Sequence, residues 1–149
     1  MTTINQKHLS FEDIIEKQGY LVYTAEGTSM LPLIREKRDN PKIVRKTGRC
    51  KKYDVVLFKR KTGAYVLHRI VKVRKNTYDL CGDNQVNVEH NITDDMIIGV
   101  LDGVFRDDKY VSVTDAKYIE YSKLVVRSRV RRKIRYYFRK ALKKLKIKK

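Results

Sequence analysis

The 149-residue chain has little of what stabilises a disulfide or metal scaffold, since it holds only two cysteines and three histidines. Cys50 and Cys81 have no CxxC partner and no zinc-ligand spacing. We therefore expect two free thiols in a reducing compartment, in preference to a single bridge, and neither a metal nor another cofactor. A domain of this length can bury a core without such aids.

Long apolar runs are missing as well. No stretch of 18 apolar residues occurs, which predicts that the chain does not span a bilayer. Residues 1–16 are polar and acidic, without the apolar region of a secretory signal. The expected location is therefore the cytoplasm. A hydrophobic content of 42% argues against wholesale disorder.

The net charge of +18 is concentrated at one end of the chain. Of the 35 Lys and Arg residues, 14 lie between Tyr121 and Lys149, where there is no Asp or Glu. The preceding 120 residues hold the other 21 together with all 17 acidic residues, a net charge of +4. The basic character therefore belongs to a tail, and we divide the chain into a helical segment (1–19), a β-rich domain (20–113) and a basic tail (114–149).

Most of the chain before the tail has the pattern of short strands. Ser10 begins a capping box and Gly19 is a stop signal, which together predict one short helix. The turn Lys61–Ala64 predicts a hairpin, and Asn76 and Thr77 a second one. The expected fold is mostly β, a small antiparallel and partly closed structure. The predicted strands are Leu21–Ala25, Lys42–Arg45, Asp54–Arg60, Tyr65–Arg74, Tyr78–Cys81, Ile97–Phe105 and Tyr110–Val113.

The tail has helical periodicity. Apolar residues recur every three or four positions from Val126 to Leu145, and Lys and Arg occupy the other face. We predict one amphipathic helix over this range, with Thr114 as a candidate cap at the start of the helical region.

Three short segments contain residues of chemical interest. Ser29 follows a glycine turn at Gly27, where a hydroxyl could be held beside free backbone N–H groups, although such loops are commonly plain turns. His68 alternates with apolar residues along a predicted strand, so it is either a proton acceptor or a hydrogen-bonded core histidine. The third segment, Gly82–Asn84, is a turn signal.

Taken together and in order, these segments resemble the box series of the type I signal peptidase family, whose fold is shared with the self-cleaving SOS-repressor peptidases. The similarity covers roughly residues 20–105. The matching boxes are Gly27-x-Ser29-Met30-x-Pro32, Tyr53-Asp54-Val-Val-x-Phe58, His68-Arg69-Ile70 and Gly82-Asp83-Asn84.

The resemblance implies a serine endopeptidase that cleaves leader or signal-like peptides. Ser29 occupies the position of the nucleophile and His68 that of the general base, as in the Ser-His branch of the family. His68 would accept the Ser29 proton, and the resulting acyl-enzyme would be hydrolysed by water. Lys72 is a poor substitute base, since on a strand it would lie about 13 Å from His68.

The third catalytic group is left open between two carboxylates. Glu89 and Asp83 are equal candidates for orienting His68, with Asp94 and Asp95 as weaker competitors, and Asp83 is equally plausible as a turn residue. In some members of the family, a hydroxyl two positions before the nucleophile donates a hydrogen bond to the oxyanion. That position is Gly27 in this sequence, so a second donor must come from the backbone or is missing. Met30 and Arg69 are the remaining residues expected to support the site.

The tail suggests a partner besides the peptide or protein substrate. A cationic amphipathic helix fits an anionic membrane face, and packing on the body or a partner is the next interpretation. Nucleic acid is less favoured, because it does not require an apolar stripe. The basic residues expected to bind the anionic partner are Arg127, Arg131, Arg135, Arg139 and Lys143.

Two other functions remain as alternatives to the peptidase. One is an inactive binding module of the peptidase fold that is tethered by the tail. A DNA-linked repressor peptidase is a third, weaker hypothesis.

Overall fold

The computed structural model describes residues 9–147 of the chain. The first eight residues of the predicted N-terminal segment, His8 among them, lie outside this range. The elements in chain order are α1 (Phe11–Gln18), β1 (Tyr20–Val22), β2 (Asn40–Arg45), β3 (Val55–Lys59), β4 (Tyr65–Val73), β5 (Tyr78–Cys81), β6 (Glu89–Ile92), a 3-10 turn (Asp94–Met96), β7 (Ile97–Arg106), β8 (Lys109–Ser112), α2 (Ala116–Arg127) and α3 (Arg129–Ile147).

Within the described residues, the eight strands form one antiparallel sheet. The strand order is β1-β2-β7-β3-β4-β5-β6, and β8 pairs with β7 beside that path. The fold is therefore mostly β, with a short N-terminal helix and two C-terminal helices.

Strand β3 lies between the two hydrophobic cores of the sheet. Val55 and Leu57 belong to one core with residues of α1 and the Ser29 segment, while Val56 and Phe58 belong to the other. Because side chains alternate along a strand, β3 is buried on both faces. The neighbouring strand β4 is thereby held firmly in the middle of the sheet, where it pairs with β3 and β5.

The locally encoded elements are confirmed. Ser10 and Asp13 form the capping box of α1, and Gly19 ends the helix with a left-handed φ of 84°. Both predicted hairpins, β3–β4 and β4–β5, are present. Strand β6 was not predicted, because Glu-His-Asn-Ile is a polar segment in which only Ile92 is buried at the edge of the sheet.

The tail departs from the prediction at two points. It forms two helices that are divided at Ser128, where Ser128 Oγ and Arg132 Nη1 both donate to Val125 O. These side-chain donors satisfy a carbonyl at the C-terminal end of α2. The N-cap of α2 is Asp115 and not Thr114, whose hydroxyl is hydrogen bonded to Ser112 Oγ at 2.9 Å.

No helix in residues 9–147 is both long enough and apolar enough to cross a membrane. Cys50 and Cys81 are free and buried, and burial raises the pKa of both thiols.

Candidate active site

The segment that carries Ser29 is fixed at both of its ends. Gly27 adopts a φ of 82°, and its N–H donates to Glu36 Oε1 at 3.1 Å. Met30 follows Ser29 directly and is buried in the core, where its carbonyl accepts from the Ile34 N–H. Ser29 is half-buried between these anchors. A glycine is needed at position 27 because side chains disfavour this positive φ.

A cluster of one buried aspartate and two partly exposed arginines holds the far end of the same segment. Asp39 is fully buried and accepts hydrogen bonds from the side chains of Arg35 and Arg106. Arg106 Nη2 also donates to the carbonyls of Pro32 and Leu33, at 2.9 and 2.7 Å. Burial favours the neutral acid, but the hydrogen bonds from the two arginines lower the pKa of Asp39 to about 2. The cluster therefore stays ionised and holds the loop in place.

Ser29 and His68 line the same cavity, although they are far apart in the sequence. The cavity has a volume of about 650 Å³, within the range of small-molecule and peptide sites. Its walls combine apolar and polar groups and come mainly from α1, the segment after β1, and strands β3 and β4. Gly27 and Met30 also line it, and the other apolar and aromatic wall residues are Phe11, Tyr23, Ala25, Ile34, Leu57, Tyr65, Val66 and Leu67.

His68 is buried on β4 and lies next to an acidic side chain. Its Nδ1 lies 3.2 Å from Glu89 Oε1, without the alignment of a hydrogen bond. Glu89 also accepts two hydrogen bonds from Arg60, one of them at the same Oε1 atom that lies near His68. Catalytic hydrogen bonds are often poorly aligned in unliganded enzymes, so this geometry is compatible with an orienting role for Glu89.

The protonation states of this group suit a general base. Burial lowers the pKa of His68, while the negative charge of Glu89 opposes the shift. The hydrogen bond from Arg60 lowers the pKa of Glu89, so the carboxylate remains charged near neutral pH. His68 is therefore neutral near pH 7 and has a ring nitrogen able to accept a proton.

Asp83 does not pair with His68 but with Arg69, on the opposite face of β4. Arg69 Nε and Nη2 each donate to the Asp83 carboxylate at 2.8 Å, and both side chains are 1% exposed. Burial opposes the charge on Arg69, yet the hydrogen bonds that it donates to Asp83 raise its pKa above the ordinary value. Of the two carboxylates that the sequence left open, Glu89 is the one beside His68.

Arg69 connects three parts of the chain. Its Nη1 donates to Tyr53 O at 2.9 Å and to Ser122 Oγ of α2 at 2.8 Å. The guanidinium also lies over the rings of Tyr118 and Tyr121, 5.7 and 5.6 Å from their centroids. Helix α2 is thus attached to the sheet at the residue that follows His68.

The Gly82–Asn84 turn rests directly against the backbone of the Ser29 segment. The Asn84 N–H donates to Ser29 O at 2.8 Å, and its side-chain amide donates to Thr28 O. A Cβ on Gly82 would lie 2.6 Å from Ser29 O, so only glycine permits this approach. Tyr121 Oη donates to Asp83, which completes a line of contacts from α2 through the turn to Ser29.

The weaker competitors, the poor substitute base Lys72 and the other histidine of the described residues lie elsewhere. Asp94 binds Lys46 and Tyr78, and Asp95 lines a different cavity beside α1. His90 is exposed and lies 3.0 Å from Asp79. Lys72 follows a bulge in β4 and lines a third cavity near α3, which does not include Ser29 or His68.

Sequence reasoning missed several residues that build the site. Arg60, Asp39, Arg106 and Tyr121 come from distant parts of the chain, and no local pattern distinguishes them from surface charges or a tail aromatic. Asp39 directly precedes β2, and nothing in the neighbouring sequence signals that it is buried.

In residues 9–147 no group of three or more His, Cys, Asp or Glu side chains is arranged to hold a metal ion. No family model matches the sequence, and no curated protein matches it either. The arrangement of Ser29, His68 and Glu89 is therefore the main structural basis for a functional proposal. It combines a hydroxyl on an anchored loop, a neutral buried imidazole on the same cavity, and a carboxylate beside that imidazole.

Proposed function

We propose that this protein is a serine endopeptidase of the signal peptidase type, with Ser29 as nucleophile and His68 as general base. The observation that carries the proposal is the shared cavity: the two side chains line one space of about 650 Å³. The sheet would accordingly be of the signal peptidase and repressor-peptidase type. The four matching sequence boxes support this, because hydrogen bonds connect the Ser29 loop to the Gly82–Asn84 turn, that turn to β4, and β4 to Tyr53.

In the proposed reaction, His68 takes the proton of Ser29 while the serine oxygen attacks the carbonyl carbon of a peptide bond. The protonated imidazole then gives that proton to the leaving amine, which departs as the tetrahedral intermediate collapses to an acyl-enzyme. Water, deprotonated by His68, attacks the ester and releases the acid, and Ser29 regains its proton. Glu89 stabilises the imidazolium in each half of the reaction.

The oxyanion would depend on backbone donors. The N–H of Gly27 is bound to Glu36, and that of Leu31 to Thr28 O, so the donors must come from the residues between them. The hydrogen bond from the Asn84 N–H to Ser29 O holds this stretch of backbone in place. Backbone N–H donors that are fixed before the substrate binds contribute strongly to acyl transfer. The absence of a hydroxyl at position 27 is consistent with an oxyanion hole made from the backbone alone.

The proposal is tested by incubating the full chain with a library of leader-like peptides and identifying the fragments by mass spectrometry. Ser29→Ala and His68→Ala should each reduce cleavage by roughly 10³-fold or more. Thr62→Ala and His90→Ala are the matched controls, since they remove an exposed hydroxyl and an exposed imidazole outside the cavity.

Hydroxylamine provides a second readout, since it competes with water for an acyl-enzyme. The amino-terminal fragment should then appear partly as its hydroxamate. Equal cleavage by the Ser29→Ala protein would contradict the proposal. A folded wild-type protein that cleaves no peptide in the library would favour the inactive binding module instead.

A further inference from the structure

Helix α3 has a continuous apolar stripe that the rest of the protein leaves uncovered. At about 100° per residue, the stripe spans about 140° of the helix circumference. Its large hydrophobic residues are 43–66% exposed, and no α3 side chain is buried within the described residues. The stripe, as named here, consists of Val130, Ile134, Tyr137, Phe138, Ala141, Leu142 and Leu145.

Most of the stripe does not face the sheet. The α3 residues that line cavities together with residues of the body are Arg129, Val130, Lys133 and Tyr137. On the helical wheel these four lie along one side of the stripe, and Phe138 and Leu142 lie on its opposite edge. An apolar surface of this kind, exposed on a long helix, requires an occupant from outside the described chain.

The remaining surface of α3 determines what kind of occupant fits. The helix contains ten Lys and Arg residues and no acidic residue. Nine of the ten lie outside the stripe, and Arg131, which falls between Phe138 and Leu142 on the wheel, has a stem long enough to carry its guanidinium to the stripe's border. A second copy of α3 would bring like charges together, which disfavours pairing between copies.

We infer that α3 lies on an anionic lipid surface, with its stripe among the acyl chains and its basic side chains among the headgroups. The combination of an exposed apolar stripe that includes Tyr137 and a mainly basic remainder matches the requirements of an interfacial helix. Of the basic residues predicted to bind anions, Arg131, Arg135, Arg139 and Lys143 belong to α3, whereas Arg127 is in the last turn of α2. The inference does not depend on the peptidase proposal.

Two aromatic residues of α3 provide a matched pair for the test. Tyr136 and Phe138 are 48% and 64% exposed, and they project about 160° apart around the helix. The full-length protein is mixed with phosphatidylcholine vesicles that contain about 30% phosphatidylserine, at ~0.1 M salt, and the bound fraction is measured by co-sedimentation. Phe138→Gln should weaken binding roughly tenfold or more, and Tyr136→Gln less than about threefold.

The charge requirement is tested with the same vesicles. Replacing Arg135 and Arg139 together by Gln should weaken binding roughly tenfold or more, as should vesicles of phosphatidylcholine alone. The Ser29→Ala protein should bind like the wild type, which separates this result from any failure of the peptidase proposal. Circular dichroism of each variant checks that the fold is retained.

Four outcomes would overturn the inference. Equal effects of the Tyr136 and Phe138 substitutions would mean that the stripe is not the contact. Equal binding to anionic vesicles and to vesicles of phosphatidylcholine alone would mean that charge does not contribute to binding. Tighter binding to a single-stranded RNA oligonucleotide than to anionic vesicles would identify nucleic acid as the occupant. An oligomer that Phe138→Gln dissociates, with no vesicle binding, would identify a second copy of the chain.

Discussion

The charges around β4 and the charges of α3 are arranged in opposite ways. Arg69 and Asp83 are 1% exposed and make a two-bond ion pair, with further hydrogen bonds from Arg69 to Tyr53 O and Ser122. In α3, ten basic residues have no acidic neighbour on their own helix, and side chains 133–146 are all exposed. Helix α2 belongs with the first region, because Tyr118, Ser122 and Val125 are buried against the body.

The buried charges around β4 constrain the fold, whereas the exposed charges of α3 do not. A buried charge is costly unless its partners are present, so the Arg69–Asp83 pair requires β4, the Gly82–Asn84 turn and α2 to lie in one arrangement. An exposed charge in water is solvated wherever its helix points, so the charges of α3 impose no such requirement. They remain available for an anionic surface outside the protein.

Breaking the buried pair should have the largest effect on stability. Asp83→Asn leaves Arg69 buried without its counter-charge, and we expect the free energy of unfolding to fall by roughly 3–5 kcal/mol. Urea denaturation followed by circular dichroism measures the change. Asp108→Asn is the control, because Asp108 is exposed in the β7–β8 turn and its loss should cost less than about 0.5 kcal/mol. Similar losses in both variants would contradict the assigned role of the pair.

An intermediate effect is expected at His68, where a buried imidazole lies beside a partly exposed carboxylate. Glu89→Gln should lower kcat/KM by roughly 10–100-fold, because the imidazolium loses its stabilising charge. Burial lowers the pKa of His68 and Glu89 raises it, so removing Glu89 lets the pKa fall further. The charge of Arg60, then unpaired, acts in the same direction.

The pH profile of kcat/KM checks this prediction. The acid limb of the wild type should have its midpoint below about 6.5, the ordinary value for histidine, because the buried imidazole loses its proton more readily. In Glu89→Gln the midpoint should move to still lower pH. Glu120→Gln, on the exposed side of α2, should leave the profile unchanged. A midpoint that moves upward in Glu89→Gln would exclude the assigned electrostatics.

The smallest effect is expected from removing α3. A chain that ends at Ser128 should lose less than about 1 kcal/mol of unfolding free energy, because α3 buries no side chain against the body. A chain that ends at Thr114 also loses α2, and with it the partners of Arg69, so its loss should be several-fold larger. Thermal unfolding of the two truncated proteins compares them. Equal destabilisation would mean that α3 is part of the folded body.

The sequence predicted those elements whose signals are local. The hairpins β3–β4 and β4–β5 follow from apolar runs joined by short turns, and α1 from its capping box. The polar edge strand β6 had no such signal, although it carries Glu89. The break at Ser128 was missed because the apolar periodicity continues across it, and side-chain donors to Val125 O mark it only in three dimensions.

The candidate site was partly predictable for the same reason. The box pattern named Ser29 and His68, and the structure places both on one cavity. The pattern did not distinguish Glu89 from Asp83, because the two carboxylates are only six positions apart and either could lie beside His68. The supporting residues Arg60, Asp39 and Arg106 depend on contacts between distant segments, which no single stretch of sequence encodes.

By itself, the amino-acid order determined the β-rich body, the basic tail and the residue types available for acyl transfer, because composition and periodicity act over neighbouring residues. Only the tertiary structure decided which carboxylate lies beside His68, which helix is attached to Arg69, and which apolar stripe is left exposed. These outcomes depend on strand register and on the cost of burying a charge without its partner, and both arise only when distant segments pack together.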